Sequence, residues 1–298
     1  MELRHLKSFA AAAERLSFTR AAEVLELTQA AVSQQIAALE KELGTELFER
    51  RGRGVSLTAA GRRLYEYARQ ILDLIEEASR RVGEGEGRVS GDLRVATSSV
   101  PAEWLVPELL AAFRGRYPEV HESLAVSDSS VATAAVEAGE ADVGFVGEFP
   151  RSSKLEAKAV AEDELVLVVA ADHPFAAKGA MTLKQLRREA LIVREPGSGS
   201  RRCLERALEE HGLPPAELDI AMEVNSNDAI RAAVERGVGV AFLSQRDKRH
   251  EVGLVCLKIR GFRPRRQLYV IHDPGRALPT PARRFLAFVE EWRQSAGR

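Results

Sequence analysis

Cysteine is nearly absent from this chain. Cys203 and Cys256 are the only two among 298 residues and lie far apart in sequence. That excludes a disulfide framework and a cysteine-rich metal site, and each reads best as a small buried hydrophobe. No stretch approaches the ~18 uninterrupted apolar residues of a membrane-spanning helix. Nor does Met1-Glu2-Leu3-Arg4-His5 open a basic segment followed by an apolar one, so no signal peptide is read. The expectation is a cytoplasmic protein without a membrane partner.

A dominant charge is also missing, with 43 Lys and Arg against 44 Asp and Glu. Residues 1–90 balance at 14 basic and 14 acidic, so any contact with nucleic-acid phosphates rests on local placement. Catalytic signatures are absent as well. The six histidines are scattered, no His-Glu-x-x-His occurs, and Gly197-Ser198-Gly199 lacks the lysine and spacing of a phosphate-binding loop. His173, in Asp172-His173-Pro174, reads as a turn residue. No enzyme, metal or cofactor is expected.

What is present is a globular balance, 45% hydrophobic and 29% charged, in a chain long enough for two or three folding units. Leu3, Leu6, Phe9, Ala10, Ala13 and Leu16 recur at spacings of three and four and predict a first amphipathic helix. Ser17 or Thr19 caps a short second helix. Thr28 caps a third running to Leu43, with Val32, Ile36, Leu39 and Leu43 inward and Gly44 at its end. The brief link between the second and third helices is that of a helix-turn-helix. Leu47 to Leu57 reads as two short strands around a glycine turn, a wing.

Thr58 then caps a long helix in which Leu64, Ala68, Ile71, Ile75, Ala78 and Val82 keep a heptad rhythm, predicting a dimerisation seam. Three glycines within Gly83-Glu84-Gly85-Glu86-Gly87 mark a hinge. Beyond it, strand-like runs at 93–96, 143–146, 165–169, 238–243 and 268–271 alternate with helical stretches near 103–116, 130–138, 200–211, 227–236 and 281–294. That is α/β organisation.

The start of the third helix carries no charge from Thr28 to Leu39. Small residues let a helix press into the major groove, and glutamine bonds adenine bidentately, a pairing worth ~1–3 kcal/mol of discrimination. Gln29, Ser33 and Gln34 are the base-reading candidates. The 14-residue window 50–63 holds Arg50, Arg51, Arg53, Arg62 and Arg63 and no acid, which suits phosphate.

In order along the chain, Leu6-Lys7-Ser8-Phe9, Ser17-Phe18-Thr19-Arg20-Ala21-Ala22, Thr28-Gln29-Ala30-Ala31-Val32-Ser33-Gln34-Gln35-Ile36, Leu47-Phe48-Glu49-Arg50 and Leu57-Thr58-Ala59-Ala60-Gly61 closely resemble the DNA-binding domain of LysR-type transcriptional regulators. One departure is Ala30, where that family often has proline; alanine keeps the helix. The resemblance implies DNA contacts from Ser17, Thr19, Thr28, Gln29, Ala30, Ala31, Ser33, Gln34, Gln35, Arg50, Arg51, Arg53 and Thr58.

It also implies the overall class: an α/β protein with an N-terminal all-α winged helix-turn-helix over 1–58, a linker helix and hinge over 59–90, and an effector-binding domain over 91–298. The last resembles type 2 periplasmic binding proteins, with one lobe at 91–163 and 268–298 and the other at 164–267. The expected partners are operator DNA, a small-molecule effector and further copies of the chain as a homotetramer, a dimer of dimers; RNA polymerase stays open as another. A DNA-architectural protein or a solute-binding protein is the alternative.

In the α/β part, hydroxyl- and glycine-rich turns sit where strands end and helices begin, a position that favours a small anion or carboxylate. By resemblance the effector-contacting residues are Ser98, Ser99, Ser129, Ser198 and Ser200, together with Thr97, Gly147 and Asn225. Arg201 adds a charge-assisted contact in that reading. The stretch Arg194 to Arg201 is similar to one in the subgroup of sulfur-assimilation and carbon-fixation regulators.

Overall fold

The computed structural model describes residues 1–51, 54–83, 89–247 and 253–296. They divide into two compact units, Met1–Arg88 with Arg276–Pro279, and Val89–Gly275 with Thr280–Arg298.

The first unit opens with α1 (Leu3–Arg15), α2 (Phe18–Val24) and α3 (Gln29–Leu43). Each start has a local cause. The Ser17 hydroxyl accepts the Arg20 N–H at 3.3 Å, and the Thr28 hydroxyl accepts that of Ala31 at 3.2 Å. Helix α3 ends on Gly44 at φ 66°, a conformation that costs glycine least. The wing follows as the antiparallel pair β1 (Phe48–Arg51) and β2 (Gly54–Leu57). Glu40 of α3 anchors its entry by accepting the Leu47 N–H at 2.8 Å. Phe9, Val32, Ile36, Leu39 and Leu47 are buried in one core, where Phe48 meets the rings of Phe9 and Phe18 edge-on.

Helix α4 (Ala59–Gly83) begins where the Thr58 hydroxyl donates to the Glu46 carbonyl at 2.8 Å and accepts the Gly61 N–H at 2.9 Å. Gly61 is there for space. A β-carbon on it would lie 2.1 Å from the Leu47 carbonyl oxygen.

The expected dimerisation seam needs correction at Ala68. Ala68 is fully buried within this unit's own core, and Leu64 and Ile71 pack against the same cluster. Three small helices and a hairpin expose too much apolar surface to stand alone, so the first turns of α4 complete their core. Ile75 is exposed, while the side chains of Ala78 and Val82 and all of 84–88 lie outside the described residues.

The second unit contains β3 (Ser90–Ser98), α5 (Ser99–Arg116), β4 (Glu119–Ser127), α6 (Ser129–Glu137) and β5 (Val143–Val146), followed by the long β6 (Glu156–Ala170). Next come β7 (Ala180–Met181), α7 (Leu183–Leu186), β8 (Ala190–Arg194), α8 (Gly199–Glu210), β9 (Asp219–Val224) and α9 (Asn227–Glu235). The chain ends with β10 (Val240–Ser244), β11 (Leu254–Ile259), β12 (Arg265–His272) and α10 (Thr280–Ala296).

Two strands bind this unit together. Residues Glu156 to Glu164 of β6 pair with β12, which also pairs with β5; from Leu165 onward β6 changes partners to β10 and β11. Parallel β3, β4 and β5 therefore form one lobe, and parallel β8, β9 and β10 form the other. The first lobe packs Phe113, Phe145 and Phe285 edge-on between α5, β5 and α10. In the second, Leu191, Leu204, Leu208, Val240 and Leu257 share a core under α8. Parallel strands return through helices, so strand ends and helix starts gather on one side of each lobe.

Candidate nucleic-acid interface and ligand cleft

On α3, Gln29, Ala30 and Gln34 are exposed, with Ala31 and Ser33 half-buried beside them. The Gln29 amide donates to Ser33 Oγ at 3.1 Å, which fixes the two side chains as a unit. This face is uncharged, convex and made of small residues around two amides. Thr19 is exposed at the start of α2, whereas the hydroxyls of Ser17, Thr28 and Thr58 are engaged in capping.

Gln35 departs from its expected role. It turns inward and its Oε1 accepts the hydroxyl of Ser8, a residue only 1% exposed, at 2.7 Å. One residue along a helix rotates the side chain by ~100°, which carries Gln35 off the face that holds Gln34. Arg50 and Arg51 stand on β1, their side chains outside the described residues, as is Arg53 altogether.

In the second unit, Ser98, Ser99, Ser129, Ser198 and Ser200 line one cavity between the two lobes, with Asp128, Arg194 and Arg266. Three helix starts converge there. Ser98 stands at the N-cap of α5, Asp128 caps α6 by accepting the Ser130 and Val131 N–H groups at 2.7 and 3.0 Å, and Ser198 caps α8. Their dipoles place positive potential at the cavity.

The two arginines add to it, and neither was among the sequence-derived candidates. Arg194 is 4% exposed and closes β8. Its Nε and Nη2 donate to the Glu195 carboxylate at 2.7 Å, Nη1 donates to Asn227 at 2.7 Å, and Nη2 reaches across to Ser99 Oγ at 3.0 Å. Arg266 comes from β12, its Nε donating at 2.9 Å to the buried carboxylate of Asp163, which also accepts the Ser244 hydroxyl. A signal for both was available: Arg194 interrupts an apolar strand at its end, and the acidic run 162–164 faces the basic run 263–266 across paired strands.

Other expected contacts fall elsewhere. Arg201 is committed to Glu205 at 2.7 Å, to Glu223 at 2.6 Å and to the Arg194 carbonyl at 2.8 Å, so it does not line the cavity. Those carboxylates hold its guanidinium against the desolvation that opposes its charge, and the net effect is a raised pKa. Thr97 is fully buried and donates to the Ser98 carbonyl at 3.1 Å. Asn225 is exposed, its carbonyl 3.5 Å from Arg194 Nη2. Gly147 borders a neighbouring cavity, its N–H donating to Ser129 Oγ at 3.3 Å.

The lobes meet closely. Asn227 donates to Glu103 at 2.9 Å, and Arg202 pairs with Glu148. A β-carbon on Gly197 would lie 2.7 Å from the Asp128 carboxylate, and one on Gly199 would lie 3.0 Å from the Gly147 carbonyl. The glycines of Gly-Ser-Gly are thus what allows this approach. The enclosed space is about 10 Å³, room for about one water.

Residues 3–62 match the family described as the bacterial regulatory helix-turn-helix protein, lysR family, and residues 86–294 match the LysR substrate binding domain. The RuBisCO operon transcriptional regulator of Allochromatium vinosum is 35% identical across 97% of this chain and 95% of its own length. Among solved structures, full-length CbnR complexed with its target DNA is 28% identical, spans 98% of this chain and 99% of its own, and has a TM-score of 0.66. The regulatory domain of Synechocystis PCC6803 CcmR in complex with 2-PG is 28% identical, spans 68% of this chain and 98% of its own, and has a TM-score of 0.62.

Proposed function

The chain belongs to the LysR family of transcriptional regulators, and on that premise we propose that it reads an operator through α3 while an anion in the interlobe cleft sets its regulatory state. It is an effector-modulated, DNA-binding regulator with a winged helix-turn-helix and a two-lobed α/β sensor. In this reading it catalyses no reaction and works in the cytoplasm. Its divisions are 1–58 for DNA, 59–90 for linkage and pairing, and 91–298 for sensing, with lobes at 91–163 with 268–298 and at 164–267.

One observation carries the sensing role: three helix starts and two buried arginines, drawn from both lobes and their crossing strand, converge on one closed cleft. Such a site favours a compact anion, and CcmR in complex with 2-PG is a relative holding a small ligand. Ser98, Ser99, Ser129, Ser198, Ser200, Arg194 and Arg266 contact it. Binding shifts the lobe equilibrium by its difference in affinity between open and closed forms.

Gln29, Ser33 and Gln34 read bases, while Ala30 and Ala31 permit close approach. Ser17, Thr19, Thr28 and the wing arginines Arg50, Arg51 and Arg53 hold phosphates, while Thr58, whose hydroxyl proton goes to the Glu46 carbonyl, seats α4 instead. Two copies present two recognition helices to a roughly palindromic site, and two such dimers make a tetramer.

Selection from a random DNA library at controlled salt, with and without 2-PG, sulfate, phosphate and small carboxylates, tests the whole reading. A palindromic motif whose footprint shifts with one of these anions is expected. A protein that enriches no motif under any condition is an architectural binder or no DNA binder at all.

A further inference from the structure

The interlobe cleft holds one group that does not suit a bare anion. Asp128 lines it beside Ser98, Ser129, Ser198 and Arg194. Its Oδ1 accepts both N–H groups at the start of α6, from Ser130 at 2.7 Å and Val131 at 3.0 Å, while Oδ2 accepts no hydrogen bond among the described residues. The carboxylate faces Gly197 of the other lobe, where a β-carbon would lie 2.7 Å from Oδ2.

Its charge is unmatched as well. Each arginine at the cleft already has a carboxylate of its own: Arg194 donates to both oxygens of Glu195 at 2.7 Å, and Arg266 donates to Asp163 at 2.9 Å. No cation pairs with Asp128 among the described residues. With those pairs counted, the net side-chain charge about the cleft is that of Asp128, and the N-termini of α5, α6 and α8, each worth roughly half a positive charge, oppose it.

An ionised carboxylate only accepts hydrogen bonds. A ligand whose oxygens are all acceptors, such as sulfate, would be repelled by Oδ2, whereas an anion that carries an O–H can donate to it. The serines serve the remaining oxygens. Ser129 Oγ and Ser198 Oγ each accept a backbone N–H at 3.3 Å, which leaves their protons to donate. A site built to hydrogen-bond an O–H rejects the analogue without it far more strongly than an apolar pocket rejects a missing methylene.

We propose, on the reading of the cleft as an anion site, that Asp128 is its specificity-determining residue. Its Oδ2 accepts a hydrogen bond from the ligand, so the effector is an anion with an O–H donor, either on the acid group itself or on the neighbouring carbon, and sulfate-like anions are turned away.

Calorimetric titration of the full chain with two matched pairs of probes tests this. At about pH 8 hydrogen phosphate and sulfate are both tetrahedral dianions and only the first carries a proton; glycolate and acetate differ by one hydroxyl beside the carboxylate. The donor should bind at least about tenfold more tightly within one of the pairs. Preference in the first pair places the proton on the acid, and preference in the second places it on the carbon. Asp128→Asn keeps an acceptor for the α6 cap and turns Oδ2 into a donor, so the preference should vanish or reverse. Asp128→Ser, also a competent cap, should abolish it without reversal. Slower hydrogen exchange at 98–100 and 128–131 should locate the bound anion in the cleft. Equal binding within both pairs, or a preference that survives both substitutions, overturns the role of Asp128 and leaves the anion site standing. If none of the four anions binds or protects those peptides, the anion site itself falls and this assignment with it.

Discussion

Replacing Ser99 with alanine removes one contact between the lobes, beside a 3.3 Å donation to the Ser127 carbonyl within its own lobe, and the structure sets what the first should cost. Ser99 Oγ accepts the Arg194 Nη2 hydrogen bond at 3.0 Å from the other lobe, while the same nitrogen keeps a 2.7 Å bond to Glu195. The substitution therefore strands no buried charge. What disappears between the lobes is a charge-assisted bond worth ~1.5–3 kcal/mol, made only in their closed arrangement, whereas the bond to Ser127 is lost from open and closed forms alike. At ~1.4 kcal/mol per tenfold, the population of opened cleft should rise by about ten- to a hundredfold.

Native-state hydrogen exchange on the full chain reads this directly, as faster exchange in peptides spanning 98–100 and 197–200 with the β6 core unchanged. Arg194→Lys keeps the charge but loses the planar fork that serves Glu195, Asn227 and Ser99 together. In that background Ser99→Ala should cost almost nothing, so the double-mutant cycle should show coupling above the ~0.5 kcal/mol expected of independent sites. Additive effects, or a Ser99→Ala chain that exchanges like the parent, would refute the claim that this bond holds the lobes together.

Adjacent glutamines should separate reading from folding. Gln34→Ala is expected to change base preference by ~1–3 kcal/mol at one operator position, whereas Gln35→Ala strands the buried Ser8 hydroxyl and should cost ~1–3 kcal/mol of stability with base preference kept, as library selection and chemical denaturation will report. Gly61→Ala forces a β-carbon to 2.1 Å from a backbone carbonyl, so it should disrupt the seat of α4 and lower the thermal midpoint of the N-terminal unit more than Ala60→Gly does. Burial holds the His272 pKa below its usual range, Glu156 opposing and Lys158 assisting. The unfolded chain therefore takes up that proton first, and stability should decline as pH falls below about 6.5. His272→Asn should flatten that part of a melting-temperature profile.

Much of this was legible in the chain itself because it rests on local rules. Ser17, Thr28 and Gly44 mark helix ends through their own backbone and side-chain chemistry, and the spacing of Val32, Ile36 and Leu39 selects the inner face of α3. The glycine-serine turns point to strand ends because few other residues suit that geometry. Less legible were residues whose role depends on a distant partner. Gln35 looked like Gln34 until Ser8 stood beside it, and Arg201 looked more available than Arg194 until Glu205 and Glu223 closed on it.

Helix α4 shows the same limit in its clearest form. An apolar heptad stripe states that a face will be buried, since the hydrophobic effect has no direction and any apolar surface satisfies it. Whether Ala68 met a second copy or its own domain was decided by how much core three short helices had left uncovered. The sequence alone determined the order of elements, their ends, their buried faces and the family. Only the tertiary structure decided which polar groups were matched across separations of 33 and 103 positions, as with Arg194 to Asn227 and Asp163 to Arg266, because electrostatic pairing acts through space and leaves no period along the chain.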